Sequence, residues 1–140
     1  MTASSVFSMA NLMVMPMWLL LVLLPNWKVT RFLIDFKVIP LLLALIYAIY
    51  ITVAIQINGW MDFGSLKSVM ALFTEENAVL AGWVHYLAFD LLIGMWMVNQ
   101  NRTKGILQIL MAPCLLGTFM FGPIGFLLFT IMSNVKKSKS

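Results

Sequence analysis

The stretch GWVHYLAFD, residues 82 to 90, places the sequence's only histidine, His85, beside Tyr86 and close to Asp90 in an otherwise apolar run. All three side chains can hold or pass a proton, and imidazole titrates near neutral pH. In a helix, Tyr86 and Asp90 are four residues apart and share a face, on a stripe that Trp83 and Gly94 extend. His85 and Asp90 are about 7.5 Å apart along the axis and about 140° apart around it. His85 instead aligns with Gly82, Phe89 and Trp96, so the helix carries polar groups on two faces. Two readings follow. In one, His85 and Asp90 form an acid–base pair, with Asp90 orienting or charging His85. In the other, Asp90 belongs to a structural hydrogen-bond network with Tyr47, Tyr50, Asn11 or Thr118.

Other chemistries find little support. A lone His85 among twelve methionines has no second histidine for haem, and unbranched methionine is an ordinary filler of apolar helices. The sequence has no Cys/His cluster for zinc, no glycine loop for nucleotide phosphates and no serine nucleophile motif. Its single cysteine, Cys114, follows Pro113 in an apolar segment and reads as a small buried hydrophobe. No metal or cofactor is therefore expected.

The solvent around the three polar residues follows from composition: 62% of the 140 residues are hydrophobic and 10% are charged, far from a soluble domain. A hydrocarbon core about 30 Å thick takes about 20 apolar residues as helix. Four stretches reach that length, at about residues 6–24, 38–57, 78–98 and 106–132. The expected fold is an all-α integral membrane protein, a single domain of four transmembrane helices in a bundle. Trp27, Trp60 and Trp96 fall near span ends, where an indole bridges apolar and headgroup zones. Between spans two and three, Leu66, Val69, Met70 and Phe73 recur at helical spacing and predict a short interfacial helix. Thr74 is expected to cap the third span, with Glu75 and Glu76 in its first turn.

In the fourth segment, the uncharged run from Gly105 to Val135 would make a straight helix about 46 Å long, well beyond the core. Pro113 and Pro123 each remove a backbone donor, so this helix is expected to be kinked or broken near them. Gly117, Gly122 and Gly125 would let another backbone or a flat ligand approach closely. With four crossings, Lys28, Arg31, Lys37, Arg102 and Lys104 share one side, against Lys67, Lys136, Lys137 and Lys139 on the other. The early, short basic connections favour the first group as cytoplasmic, which puts both termini on the non-cytoplasmic side. The tail KKSKS pulls the other way and also reads as a lipid-headgroup anchor. The net charge of +4 sits at span ends and points to lipid contact, not nucleic acid.

Two long motifs, LFTEENAVLAGWVHYLAFDLLIGMWM and APCLLGTFMFGPIGFLLF, closely resemble the abscisic-acid-deficient-four-like family. FSMANLMVMPMWLLLVLLP and IPLLLALIY fit the same pattern, so the likeness covers nearly the whole chain. The family comprises small four-span membrane proteins whose plant plastid members are associated with neoxanthin synthesis. Without a plastid transit pattern, this sequence looks like a bacterial relative residing in the inner membrane, or a mature protein.

The resemblance implies a hydrophobic isoprenoid or carotenoid ligand within membrane lipid. It also implies an isomerisation of an epoxy-carotenoid to an allenic alcohol, which needs one proton delivered and another removed but no redox cofactor. His85, Asp90 and Tyr86 are then the catalytic candidates, and Trp83, Phe89, Phe119 and Phe121, with Gly122 opposite, could flank a polyene. A non-catalytic lipid- or carotenoid-binding scaffold is one alternative reading. A proton-coupled carrier is another, and with so few spans it would call for a homo-oligomer.

Overall fold

In hydrocarbon an apolar segment can satisfy its backbone only within itself, which favours helices. The computed structural model describes residues 1–138, and every regular element among them is helical. In chain order these are α1 (Ala3–Leu23), α2 (Lys28–Phe36), α3 (Val38–Asn58), α4 (Leu66–Leu72), α5 (Glu76–Lys104), α6 (Gln108–Phe121) and α7 (Pro123–Ser138). Three stretches, Ala3–Leu23, Lys28–Asn58 and Glu76–Lys104, are long and apolar enough to cross a membrane.

The central helix is α5, which packs against α1, α3, α6 and α7. Leu80, Val84, Leu87, Leu91, Met95 and Val98 form a buried stripe along it, and Ala81, Ala88 and Met97 widen the covered surface. Against α1 the approach is close: a Cβ added to Gly94 would lie 2.7 Å from the ring of Trp18. Outward-facing leucines and isoleucines such as Leu12, Leu45 and Ile109 are exposed, as a lipid-facing surface requires. The short connecting helix α4 forms where the apolar spacing predicts it, with none of its residues buried. The expected cap of the third span is corrected. Glu75, not Thr74, precedes the helix, and its carboxylate accepts the Asn77 and Ala78 backbone N–H groups at 3.1 and 2.7 Å. Thr74 Oγ1 turns back to the Ala71 carbonyl, which stabilises the end of α4 instead.

The fourth apolar segment is broken at Pro123, as the sequence predicts, but it does not make a fourth long span: two helices meet at Gly122 (φ +35°), just before that proline. Pro113 stays inside α6 without breaking it. At 14 residues, α6 is about 21 Å long, short of a core of about 30 Å. The two halves fold back on each other: Gly125 packs on Cys114 and Thr118, a Cβ on Gly117 would lie 3.2 Å from Gly125 Cα, and Lys136 Nζ donates to the Gly105 carbonyl. The glycines thus serve close approach of the chain's own backbone. Where four crossings were expected, three candidate spans and a helical hairpin are found. The reason is local: a left-handed Gly122 followed by a donor-less Pro123 turns the chain where a glycine at Gly125 permits contact.

The hairpin also corrects the placement of the termini. Ala3, Ser4 and Phe7 lie beside Glu76 and Val79 at the start of α5, whereas Lys136 reaches Gly105 at its end. The two ends of the described chain therefore lie at opposite ends of the bundle, not on one side. Lys136 joins Lys28, Arg31, Lys37, Arg102 and Lys104 at the Gly105 end, and Lys67 is left at the other with Asp62, Glu75 and Glu76. Lys139 lies outside the described residues. In sealed vesicles of one orientation, Thr103→Cys and Lys136→Cys should react with an impermeant maleimide from the same face, and Ser4→Cys from the opposite one. Labelling of Lys136→Cys together with Ser4→Cys would restore the four-span reading.

Candidate functional site

The site is built where the hairpin ends. Residue 90 lies halfway along α5, and the hairpin tip packs directly against it: a Cβ on Gly122 would be 2.5 Å from Asp90 Oδ1. Asp90 therefore faces protein, as an intramembrane carboxyl must. Its Oδ2 is buried without a hydrogen-bond partner. One turn earlier, the Tyr86 side chain interacts with the Asp90 carboxyl, and its hydroxyl donates to the Met120 carbonyl at 3.0 Å. Tyr86 has one hydroxyl proton and two acceptors within reach, so its oxygen links Asp90 to the hairpin tip. The positive end of the α7 dipole begins at Pro123, on the Asp90 side of the tip.

The hairpin turns back beside Asp90, so toward the start of α5 the last segment contributes only Phe119 and Met120. What results is a groove of about 640 Å³ between α1 and α5, floored by Phe119 and Met120 and walled by Asn11, Met15, Gly82, Trp83 and Tyr86. Its polar groups are few. The Trp83 indole N–H donates to Asn11 Oδ1 at 3.0 Å, and Tyr86 supplies a hydroxyl oxygen. Trp83 and Met15 keep 39% and 49% of their surface exposed, so the groove is open sideways. An apolar channel with a polar step at its inner end suits a long hydrophobic molecule carrying one oxygenated end.

The expected site residues divide between two faces. Tyr86 and Asp90 come together, and Trp83 and Phe119 line the groove. His85 does not join them: its ring lies 5.5 Å from that of Tyr47 and 4.7 Å from that of Phe89, on the α3 side of α5. Phe89 shares that outer face and is 56% exposed; Phe121 is exposed at the tip. Gly122 is buried against Asp90 and does not line the groove. The proposed network partners of Asp90 are also engaged elsewhere, Asn11 with Trp83 and Thr118 Oγ1 with the Cys114 carbonyl. The Met120 carbonyl, Met15 and Phe73 carry no motif that marks them, since an ordinary backbone oxygen and apolar side chains acquire a role only through the turn. Among the described residues no group of three metal-capable side chains comes together.

Compared with known proteins, the chain matches over residues 5–129 the family model described as ABA DEFICIENT 4-like. No curated protein and no solved structure matches it.

Proposed function

We propose a function for the groove from the premise that the chain belongs to the ABA DEFICIENT 4-like family. The groove binds an isoprenoid or carotenoid, with the polyene along Trp83 and Phe119 and an oxygenated end group at Tyr86. The observation that carries this reading is an apolar groove that reaches Tyr86, whose side chain in turn interacts with the Asp90 carboxyl behind it. The pair performs proton transfer at that end. For a ring epoxide, Tyr86 donates a proton as the carbon–oxygen bond breaks, forming an alcohol. Asp90 replenishes Tyr86, and the proton lost from the adjacent polyene carbon as the allene forms returns to the pair. One proton enters and one leaves, so the reaction is an isomerisation that consumes no reductant or oxidant.

The distribution of basic residues supports a cytoplasmic Gly105 end, with the N-terminus on the far side and the groove in the non-cytoplasmic half of the membrane. An inner-membrane bacterial setting fits that orientation. His85, on the opposite face, takes no part in the reaction.

Gly82 gives a direct test, because it lies on the groove wall with only Phe73 within 4 Å of an added Cβ, at 3.9 Å. Gly82→Phe should occupy the groove without disturbing helix packing. Wild-type protein in vesicles is expected to convert an added epoxy-carotenoid to its allenic isomer, followed by chromatography, and Gly82→Phe to lose at least about tenfold in both retained pigment and product. Pigment retained by the wild type but left unchanged would identify a non-catalytic binding protein. No retention of a polyene by wild-type protein would overturn the reading altogether.

A further inference from the structure

A second cavity lies at the other end of α5 and has no part in the groove chemistry. About 350 Å³ in volume, it is lined by Asn26 and Arg31 from the α1–α2 region, Asn101 and Arg102 from the end of α5, and Gly105 and Gln108 leading into α6. Two cations, Arg31 and Arg102, line it, and a third, Lys136, is bonded to Gly105 of the lining. Arg31 uses one guanidinium nitrogen on Asn26 Oδ1 at 3.3 Å, which leaves its other donors free to face a ligand. Arg102 stands 4.0 Å from Asp35, an ion pair too long to be a hydrogen bond. Lys136, returned by the hairpin, places its ammonium on the Gly105 carbonyl at the rim.

The amides of the lining serve the shape of the pocket instead. Asn101 is spent on the Ile106 backbone, donating at 2.8 Å and accepting at 2.7 Å, and Gln108 donates to the Leu21 and Val22 carbonyls. The first turn of α6 has no side-chain cap and adds its dipole to the same field. Even with Asp35 offsetting one cation, two positive charges remain, against a single negative charge on a phosphodiester. A neighbouring crevice of about 510 Å³ shares Pro25, Asn26 and Gln108 with the basic pocket and is otherwise lined by Leu23, Leu24 and Trp27. A cationic pocket beside an apolar crevice has the amphiphilic form of a lipid: phosphate in the first, chain in the second.

We infer that the pocket lined by Arg31 and Arg102, with Lys136 bonded to Gly105 beside it, is a phosphate-binding site that holds the headgroup of an anionic phospholipid, with an acyl chain in the Leu23–Trp27 crevice. Such a lipid would bridge the end of α1 to the start of α6 and pin the hairpin at its open end. Basic pockets between membrane helices recognise headgroups through this combination of charge and depth, each cation contributing about fivefold in affinity.

The test is retention of phosphatidylglycerol against phosphatidylcholine by purified full-length protein, read by native mass spectrometry, with thermal unfolding in parallel. Wild type should retain phosphatidylglycerol preferentially and unfold at a higher temperature in its presence. Arg31→Gln and Arg102→Gln should each weaken retention about fivefold, Arg31→Lys and Arg102→Lys should recover most of it, and Lys67→Gln, at the opposite end, should change nothing. Added inorganic pyrophosphate separates the two sources of phosphate. Failure to displace the lipid supports the headgroup, whereas full displacement at equal concentration would overturn the lipid assignment in favour of a free anion. Equal retention of both lipids, or a loss in Lys67→Gln as large as in the arginine variants, would overturn the site.

Discussion

Asp90→Asn is expected to lower turnover of an epoxy-carotenoid per folded molecule by about 10²- to 10⁴-fold, the usual contribution of a positioned proton-transfer group. The substitution preserves size and hydrogen-bonding capacity but cannot take up or release the proton that Tyr86 passes on. It also leaves the contact with Gly122 sterically unchanged, so folded abundance should stay near that of the wild type. Tyr86→Phe should show a loss of the same order, because it removes the oxygen that joins Asp90 to the groove. His85→Gln serves as the comparison. Its ring lies among Tyr47 and Phe89, away from Asp90, and turnover should remain close to wild type. The measurement is initial rate by chromatography, normalised to folded protein in the membrane. Wild-type turnover in Asp90→Asn would defeat the proton-transfer role, and a loss in His85→Gln equal to that in Asp90→Asn would return His85 to the site.

The second large effect is on stability, at Gly125→Ala. A Cβ there would lie 2.1 Å from both the Thr118 backbone nitrogen and Thr118 Oγ1, and 2.3 Å from the Cys114 carbonyl oxygen. Two of these three atoms belong to backbone, so no rotamer change relieves the overlap and α6 and α7 must move apart. Overpacking of a core commonly costs about 1–3 kcal/mol, and a clash with backbone belongs at or above the top of that range. Unfolding in mixed micelles should show a loss of at least about 3 kcal/mol for Gly125→Ala and almost none for Gly82→Ala, where the nearest atom is 3.9 Å away. The hairpin floor of the groove would loosen as well, so pigment retention should fall together with stability. A Gly125→Ala protein as stable as wild type would mean that the two helices do not cross there.

Much of this protein is legible in its sequence, for reasons that do not depend on which parts of the chain meet. Hydrocarbon leaves an apolar run of about 20 residues no alternative to helix, so α1, α3 and α5 follow from composition and length. Four-residue spacing puts Tyr86 and Asp90 on one face, and the cost of an ionisable group in lipid requires that face to meet protein. The glycines and prolines of the last segment likewise announce that it cannot be one straight helix. Tertiary structure decided the rest. Gly117, Gly122 and Gly125 permit a kink, a ligand contact or a reversal alike. Only the packing of α7 back onto α6 selects the reversal and moves Lys136 to the Gly105 end. That choice leaves the groove unfilled and brings the Met120 carbonyl to Tyr86. The roughly 140° between His85 and Asp90 is already fixed by their places on one helix; the fold decides only what each meets, the hairpin tip for Asp90 and Tyr47 of α3 for His85.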